Sequence, residues 1–543
     1  AIGSGALDAN TTADSNTSCG FNNLTANTTG ANNSAFGDNA LYANTTASNN
    51  TAMGFQALLS NTTGTSNTAV GANALDAATT ADSNTAVGRS ALTATTTGNT
   101  NVAIGDYAMS ASTTADKNVA VGSNAMASLS ADGDSMNVAV GFRAAQNSTT
   151  ASQFTALGAD TLTAQTTASY NIAVGYLSGS SLTTGGSNTS VGRASLSQNV
   201  TGGSNVVMGY NAYRLGNSGN YNTALGYEAL EDNTADNNIA IGYQSLKENT
   251  SGTENVAVGV YALDAVTTSS DNTAIGYNAL TANTAGNNTG LGAYVLQANT
   301  TGTQNTAVGA YALDANTTAG TNTAIGYAAL TTSNGGSYNT AVGGSALTSL
   351  TTGQYNTSCG ASAGEEITTG GNNLCLGLNA GRSSSPSGTI TTGNSNVCLG
   401  NNDIANLYCA DTSISSSDAR DKTDVEKFTH GLDWITAMNP VTYRWDRRSW
   451  YTDDPDTKGT PDGSKKRDRI HIGFIAQEAI EVEKKFGYAG KKDDMLIVNQ
   501  DEDEADPSYG YKYERLVPVL VNAIKELSAK NDALEARIKI LEG

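Results

Sequence analysis

The sequence predicts a mostly β protein: a long β-solenoid or β-roll of about 17-residue repeats, followed by a small α+β domain ending in a coiled-coil helix, expected to be a homotrimer. Three observations carry this. A short unit recurs over the first 400 residues, charge is sparse before residue 417 and dense after it, and the last residues carry a heptad seam. The boundaries that follow are 1–400 for the repeat, 401–416 for a linker and 417–543 for the C-terminal domain.

The unit is Asn-Thr-Ala-Val/Ile-Gly-x-x-Ala-Leu, followed by a connector rich in Thr, Asn, Ala and Gly. Its leading Asn recurs at Asn16, Asn33, Asn50, Asn67, Asn84, Asn101 and Asn118. After a disturbed stretch with Asn137 and a Gln153 variant, it runs from Asn171 at spacings of 16 or 17 to Asn373, with a last copy at Asn396, making 23 copies. Each copy offers one run such as Thr68-Ala69-Val70, enough for one or two ladder pairs, and the connector supplies turn chemistry. One unit cannot bury its apolar face alone. Stacked units can, so the Ala69, Val70 and Leu75 columns are expected to form ladders inside the solenoid. With coils ~4.8 Å apart, the stack would be a rod on the order of 110 Å long. A disordered tract has no physical need to keep Val or Ile at one slot, which argues for order.

Cys19 and Cys359 occupy the Val slot and Cys375 and Cys398 the Ala slot, while Cys409 lies outside the pattern. They read as small buried hydrophobes, with Cys375 and Cys398 brought near bridging distance by neighbouring coils. No spacing suits a metal, and no cofactor is expected. Tyr176, Tyr210, Tyr227, Tyr243, Tyr277 and Tyr327 follow the motif glycine. Packing between coils or chains is expected of them ahead of an exposed ladder that grips sugars. Binding loops are expected where the repeat is disturbed, at Asn137–Asn171 and Arg382–Asn394.

Of the chain's 28 Lys+Arg and 49 Asp+Glu, only 7 and 23 precede residue 417. The net charge of -21 disfavours nucleic acid as a partner. No apolar run reaches the ~20 residues of a membrane span. The opening Ala1-Ile2-Gly3 reads as the tail of a repeat, so the chain is expected to be a fragment of a longer polypeptide.

All three tryptophans and both histidines lie beyond the boundary. Leu432-Asp433-Trp434-Ile435 reads as a helical turn leading into an aromatic strand through Tyr443 and Trp445. Pro455, Pro461 and Gly463 mark a loop, and His471 to Glu478 a short strand opening a helix. Val517, Ile524, Asn531 and Ile538 alternate with Leu520, Leu527, Leu534 and Leu541 as a heptad seam, with Asn531 setting register. At the junction stands Ser416-Ser417-Asp418-Ala419-Arg420-Asp421-Lys422.

This Ser-Asp-x-Arg-x-Lys pattern, the segment Gly473-Phe474-Ile475-Ala476-Gln477-Glu478 and the helix from Tyr513 to Leu520 resemble the self-cleaving C-terminal chaperone domain of endosialidase-type phage tail fibres. The resemblance covers essentially all of residues 417–543. It implies that Ser417 is a nucleophile whose proton is taken by Lys422, that Asp418 and Arg420 orient the segment, and that the bond after Ser416 is cut once per chain. A serine hydroxyl needs such a base, and a lysine can serve when desolvated. Taken without the resemblance, the same residues would be a helix N-cap. The repeat is similar to the heads of trimeric autotransporter adhesins of the YadA type, whose usual repeat is shorter.

Ile and Leu at alternate seam positions lean towards two strands. The resemblance implies three, and a rod and its folding helper must share one symmetry. The expected function is that of a viral tail fibre or spike: a virion component made in the host cytoplasm that meets a host cell-surface receptor, expected to be a glycan. The alternatives are a bacterial trimeric adhesin, which lacks here the strands of a membrane anchor, and a β-solenoid polysaccharide depolymerase. The last would need paired carboxylates, for which Glu365-Glu366 and Glu228/Glu231 are the main clusters.

Overall fold

The computed structural model describes residues 1–404, 422–423, 425–451, 459–500 and 507–543. Contacts divide the chain into two compact units, Ala1–Ala324 and Ile325–Gly543.

In the first unit each copy of the repeat closes one coil of a parallel β-solenoid. Thr68–Val70 pairs in register with Thr51–Met53 on one side and Thr85–Val87 on the other. The same pairing recurs from Thr17–Cys19 to Thr306–Val308. Side chains of a strand alternate between faces, so only one residue of a three-residue strand can point one way while its two neighbours point the other. The inward one is Ala69, fully buried with Ala74 and Leu75.

The Val70 column therefore faces outward, contrary to the expectation that it lines the interior. Met53 is 44% exposed, Ile104 39% and Leu291 45%. The inside of so thin a coil is filled by alanine and leucine, and the larger aliphatics are left as a stripe on the outer strand face.

Sharp corners give the coil its shape. Ser66, Asn73 and Leu75 sit at φ 60°, 58° and 53°, the left-handed region that costs an L-residue roughly 1 kcal/mol. Burial of Leu75, worth about 1.5–3 kcal/mol, offsets its own share. Gly71, at φ 137°, has no substitute, since a Cβ there would lie 2.4 Å from the carbonyl oxygen of Gly88.

The connector is a second ordered wall. Asn61, Gly64 and Asn67 are buried at every third position, whereas Thr63 and Ser66 are exposed. Its threonines also staple the coils, because Thr45 Oγ1 donates to the Thr62 carbonyl at 3.1 Å and Thr62 Oγ1 to the Thr79 carbonyl at 3.0 Å.

The leading asparagine is buried because its amide bridges coils. Asn84 accepts the Asn101 N–H on Oδ1 at 2.9 Å and donates from Nδ2 to the Gly98 carbonyl at 2.8 Å. An aspartate could not donate and an apolar residue could do neither, which explains the constancy of the slot.

The stretch Asn137–Asn171 departs from expectation. Its coils keep the 17-residue spacing, with Phe154 in the asparagine slot and Gln153 at the left-handed corner before it. Phe154 still gives its N–H to Asn137 Oδ1 at 3.2 Å but passes no amide onward. The added length lies just upstream, where Ala115–Asp116 pairs with Gly133–Asp134.

The second unit carries the last coils, through Leu374–Leu376 and Val397–Leu399, whose register sets Cys375 opposite Cys398. Both thiols are free and buried, and burial pushes Cys375 up to about 11. The insertion after Arg382 is tied down, with Ile390 N–H bonded to the Gly381 carbonyl at 2.9 Å and Ser385 buried.

The same unit holds the C-terminal α+β residues. Helix α1 (Leu432–Ala437) lies against α3 (Leu516–Glu542). Strand Val441–Tyr443 pairs antiparallel with His471–Gly473, followed by α2 (Ala476–Lys485), and Val498–Gln500 pairs with Tyr509–Tyr511. Trp434, Ile497, Leu516 and Val519 form one core cluster, and Ala479, Ile480, Ala489 and Val498 a second beside it. On α3, Leu516, Val519 and Ala523 face that core, while Val517, Ile524, Leu527, Leu534, Ile538 and Leu541 are all exposed. The predicted seam is an exposed apolar face.

Candidate functional site

The predicted reaction centre begins where the solenoid ends. Ser416, Ser417, Asp418 and Arg420, like Cys409, lie outside the described residues. Lys422 is described and is exposed. An exposed lysine is not yet the desolvated base that the resemblance implies, so further burial must accompany any such role.

The framework beyond it is held together by ring stacking and side-chain hydrogen bonds. The Trp434 ring stacks on Phe486 at 4.9 Å and 13°. Leu432 N–H donates to Glu526 at 2.9 Å, and Asn522 Nδ2 donates to the Phe428 carbonyl at 2.8 Å, fixing the segment that follows Lys422 against α3. Glu483 is fully buried, and its carboxylate accepts N–H bonds from Leu496, Ile497 and Val498 at 2.7, 2.8 and 3.1 Å. These three amide donors satisfy the buried side chain and lock α2 onto the strand Val498–Gln500.

Sequence reasoning missed Arg447. Its Nη1 donates to the Asn402 carbonyl at 2.6 Å and to Asn402 Oδ1 at 3.2 Å, and its guanidinium lies 4.5 Å over the Trp445 ring. Asn402 in turn gives its N–H to the Ser384 carbonyl at 2.7 Å. The residues just after the last coil are thus bonded both to the insertion and to the C-terminal domain. Arg467, Arg469 and His471 complete a cavity of about 190 Å³ around this contact. Burial and the neighbouring Arg467 hold Arg447 below its ordinary pKa, with Asp403 acting in the opposite sense. The signal was present in the run Arg444-Trp445-Asp446-Arg447-Arg448, but nothing local tells which of its arginines faces the rod.

The acid clusters weighed for glycan hydrolysis are ion-paired. Arg382 reaches Glu365 at 2.7 Å and Glu366 at 3.2 Å, Arg214 reaches Glu231 at 2.7 Å, and Lys247 reaches Glu228 at 3.6 Å. At Glu228 burial acts to raise the pKa, but hydrogen bonds from Gln244 and Tyr227 and the charge of Lys247 outweigh it and hold the carboxyl below its ordinary value, which disfavours a general-acid role. Among the described residues no group of three or more His, Cys, Asp or Glu could hold a metal ion, and no helix is long and apolar enough to cross a membrane.

Against known proteins, the family model described as chaperone of endosialidase matches residues 417–488. No curated protein and no solved structure matches the chain.

Proposed function

We propose that this chain is the distal part of a viral tail fibre or spike that attaches to a host surface, and that its C-terminal domain directs trimerisation and folding before cutting the chain just ahead of Ser417. The observation that carries the reading is positional. The family match begins at Ser417 itself, directly after a parallel solenoid whose outer strand face presents an aliphatic stripe and in a chain whose last helix presents an apolar seam. Both surfaces call for partners, and one three-fold arrangement of identical chains would cover both.

In the proposed step Ser417 Oγ attacks the carbonyl carbon of residue 416 as its proton passes to Lys422. The peptide bond breaks, its nitrogen leaves as the amine of Ser417, and the acyl group rests as an ester on Oγ. Water then hydrolyses the ester, leaving a carboxylate on Ser416 and restoring the serine hydroxyl. Each chain reacts once. Identical coils permit slippage by one unit, so a domain that trimerises first would set the register. Its removal afterwards would make assembly hard to reverse.

The test is intact mass, under denaturing conditions, of the freshly expressed chain beside Ser417→Ala and Lys422→Ala. The reading expects the unaltered chain to split after residue 416 and both variants to stay whole. Three full-length products would remove the cleavage and return weight to a bacterial trimeric adhesin.

A further inference from the structure

Residues 1–404 contain seven Lys and Arg. Six of them, Arg89, Lys117, Arg143, Arg214, Lys247 and Arg382, lie within ion-pair distance of a carboxylate. Arg193 is the exception. It is exposed and lies between two tyrosines, with its guanidinium carbon 5.8 Å from the Tyr176 ring centre and 5.3 Å from that of Tyr210. Its one hydrogen bond among the described residues runs from Nη1 to the Tyr210 hydroxyl at 3.0 Å. The column continues as stacked rings, Tyr210 on Tyr227 at 5.2 Å and Tyr227 on Tyr243 at 5.1 Å, each ring about two-fifths exposed.

A cation left without a counter-charge in so acidic a chain calls for an explanation, and the sequence removes the simplest one. No Asp or Glu occurs between Asp160 and Glu228. Arg193 sits in the middle of that stretch, about two coils or ~10 Å from an acid in either direction. In a parallel homotrimer in register, each coil faces the same coil of its neighbours, so a second copy offers no carboxylate at this level either. An anion at this level would therefore come from outside the assembly.

We infer that Arg193, with Tyr176 and Tyr210, binds a carboxylate-bearing saccharide. The guanidinium has four N–H donors still to place, in the planar fork that suits a carboxylate. The flanking rings offer apolar edges to sugar C–H groups and hydroxyls to sugar oxygens. Successive coils repeat at ~4.8 Å, close to the length of one sugar residue, so the tyrosines beyond Arg193 extend the site along an oligosaccharide. This deepens the attachment reading by naming the chemistry of its receptor, and it rests on that reading for its biological role.

The test is titration calorimetry of the full chain with trigalacturonate, neutral maltotriose and inorganic phosphate, repeated for Arg193→Ala and Arg193→Lys, with light scattering for the oligomeric state. Trigalacturonate should bind and maltotriose should not. Affinity should fall at least ~10-fold in Arg193→Ala and partly in Arg193→Lys, with the mass of the assembly unchanged. Three results would each overturn the inference: no binding of trigalacturonate by the unaltered chain, equal binding by Arg193→Ala, or an altered oligomeric state in that variant, which would make Arg193 an interface residue. Phosphate binding as strong as that of trigalacturonate would likewise reduce the site to a general anion site. The cleavage assay is independent, so an intact, cleaved trimer that ignores trigalacturonate would sink this inference alone.

Discussion

A solenoid coil and the C-terminal domain bury their cores in different ways. The coil repeats the same small set, Ala69, Ala74, Leu75 and Asn67, and its contacts reach mainly to the coils above and below. The C-terminal domain buries two adjoining clusters, one around Trp434 with Ile497, Leu516 and Val519 and one of Ala479, Ile480, Ala489 and Val498, with Met438 and Tyr511 packed against both. Stability of the first kind is a sum over neighbours, and stability of the second is shared by all its parts. A lesion should therefore stay local in the coils and spread through the C-terminal domain. Under the proposed function this contrast would let the small domain set register and the solenoid outlast it.

The strongest test of this contrast is Trp434→Ala, which should cost about 3–5 kcal/mol. The near-ultraviolet dichroism of the C-terminal domain should vanish and trimers should be lost by light scattering. Normal trimers from that variant would break the division of labour. Glu483→Gln should cost about 2–3 kcal/mol, because three buried amides lose a charged acceptor. The expected readout is a lower denaturation midpoint for the C-terminal transition with the solenoid transition unmoved.

In the rod, Asn84→Ala removes the bonds to Gly98 and Asn101 and should cost about 1–3 kcal/mol. Hydrogen exchange should quicken at Asn101 and the adjoining coils and nowhere else. Acceleration many coils away would show that the rod is more cooperative than nearest-neighbour stacking allows.

The smallest effect concerns Cys375, whose folded pKa is raised to about 11 by burial. An unfolded cysteine ionises near 8.5. Its contribution is thus fully present below the unfolded value and is lost as pH rises towards the folded one, between roughly pH 8.5 and 11. The solenoid should lose stability across that window, and Cys375→Ala should flatten the loss. Thiol reagents at neutral pH should label exposed Cys359 well before Cys375.

Much of this was legible from residues alone. The repeat, its strands, the burial of Cys375 and Cys398, the order of elements after Leu432 and the seam on α3 all follow from periodicity and turn residues, which act over a few positions, whereas Cys359, expected to be buried, is exposed because its slot faces outward. The family match starts at Ser417, the serine that opens the Ser-Asp-x-Arg-x-Lys pattern. Less legible were residues whose role depends on what another segment brings to them. Arg447 reaches Asn402, and Arg382 reaches both Glu365 and Glu366. Phe154 took the slot assigned to Gln153 because an aromatic residue replaced the asparagine that marks the coil.

By itself the sequence determined that there would be coils, how many, and where they stop, since each of the 23 copies of the unit closes one coil against the copy that precedes it in the chain. Only the tertiary structure decided which way each column points. Left-handed corners at Ser66, Asn73 and Leu75 close the coil so tightly that alanine, leucine and the asparagine amide fill it. Val70 and its equivalents are turned outward as an apolar stripe, and Tyr176 and Tyr210 are brought to either side of Arg193. Periodicity fixes spacing, but handedness at three corners fixes inside and outside, and that is set by how the coil closes in three dimensions.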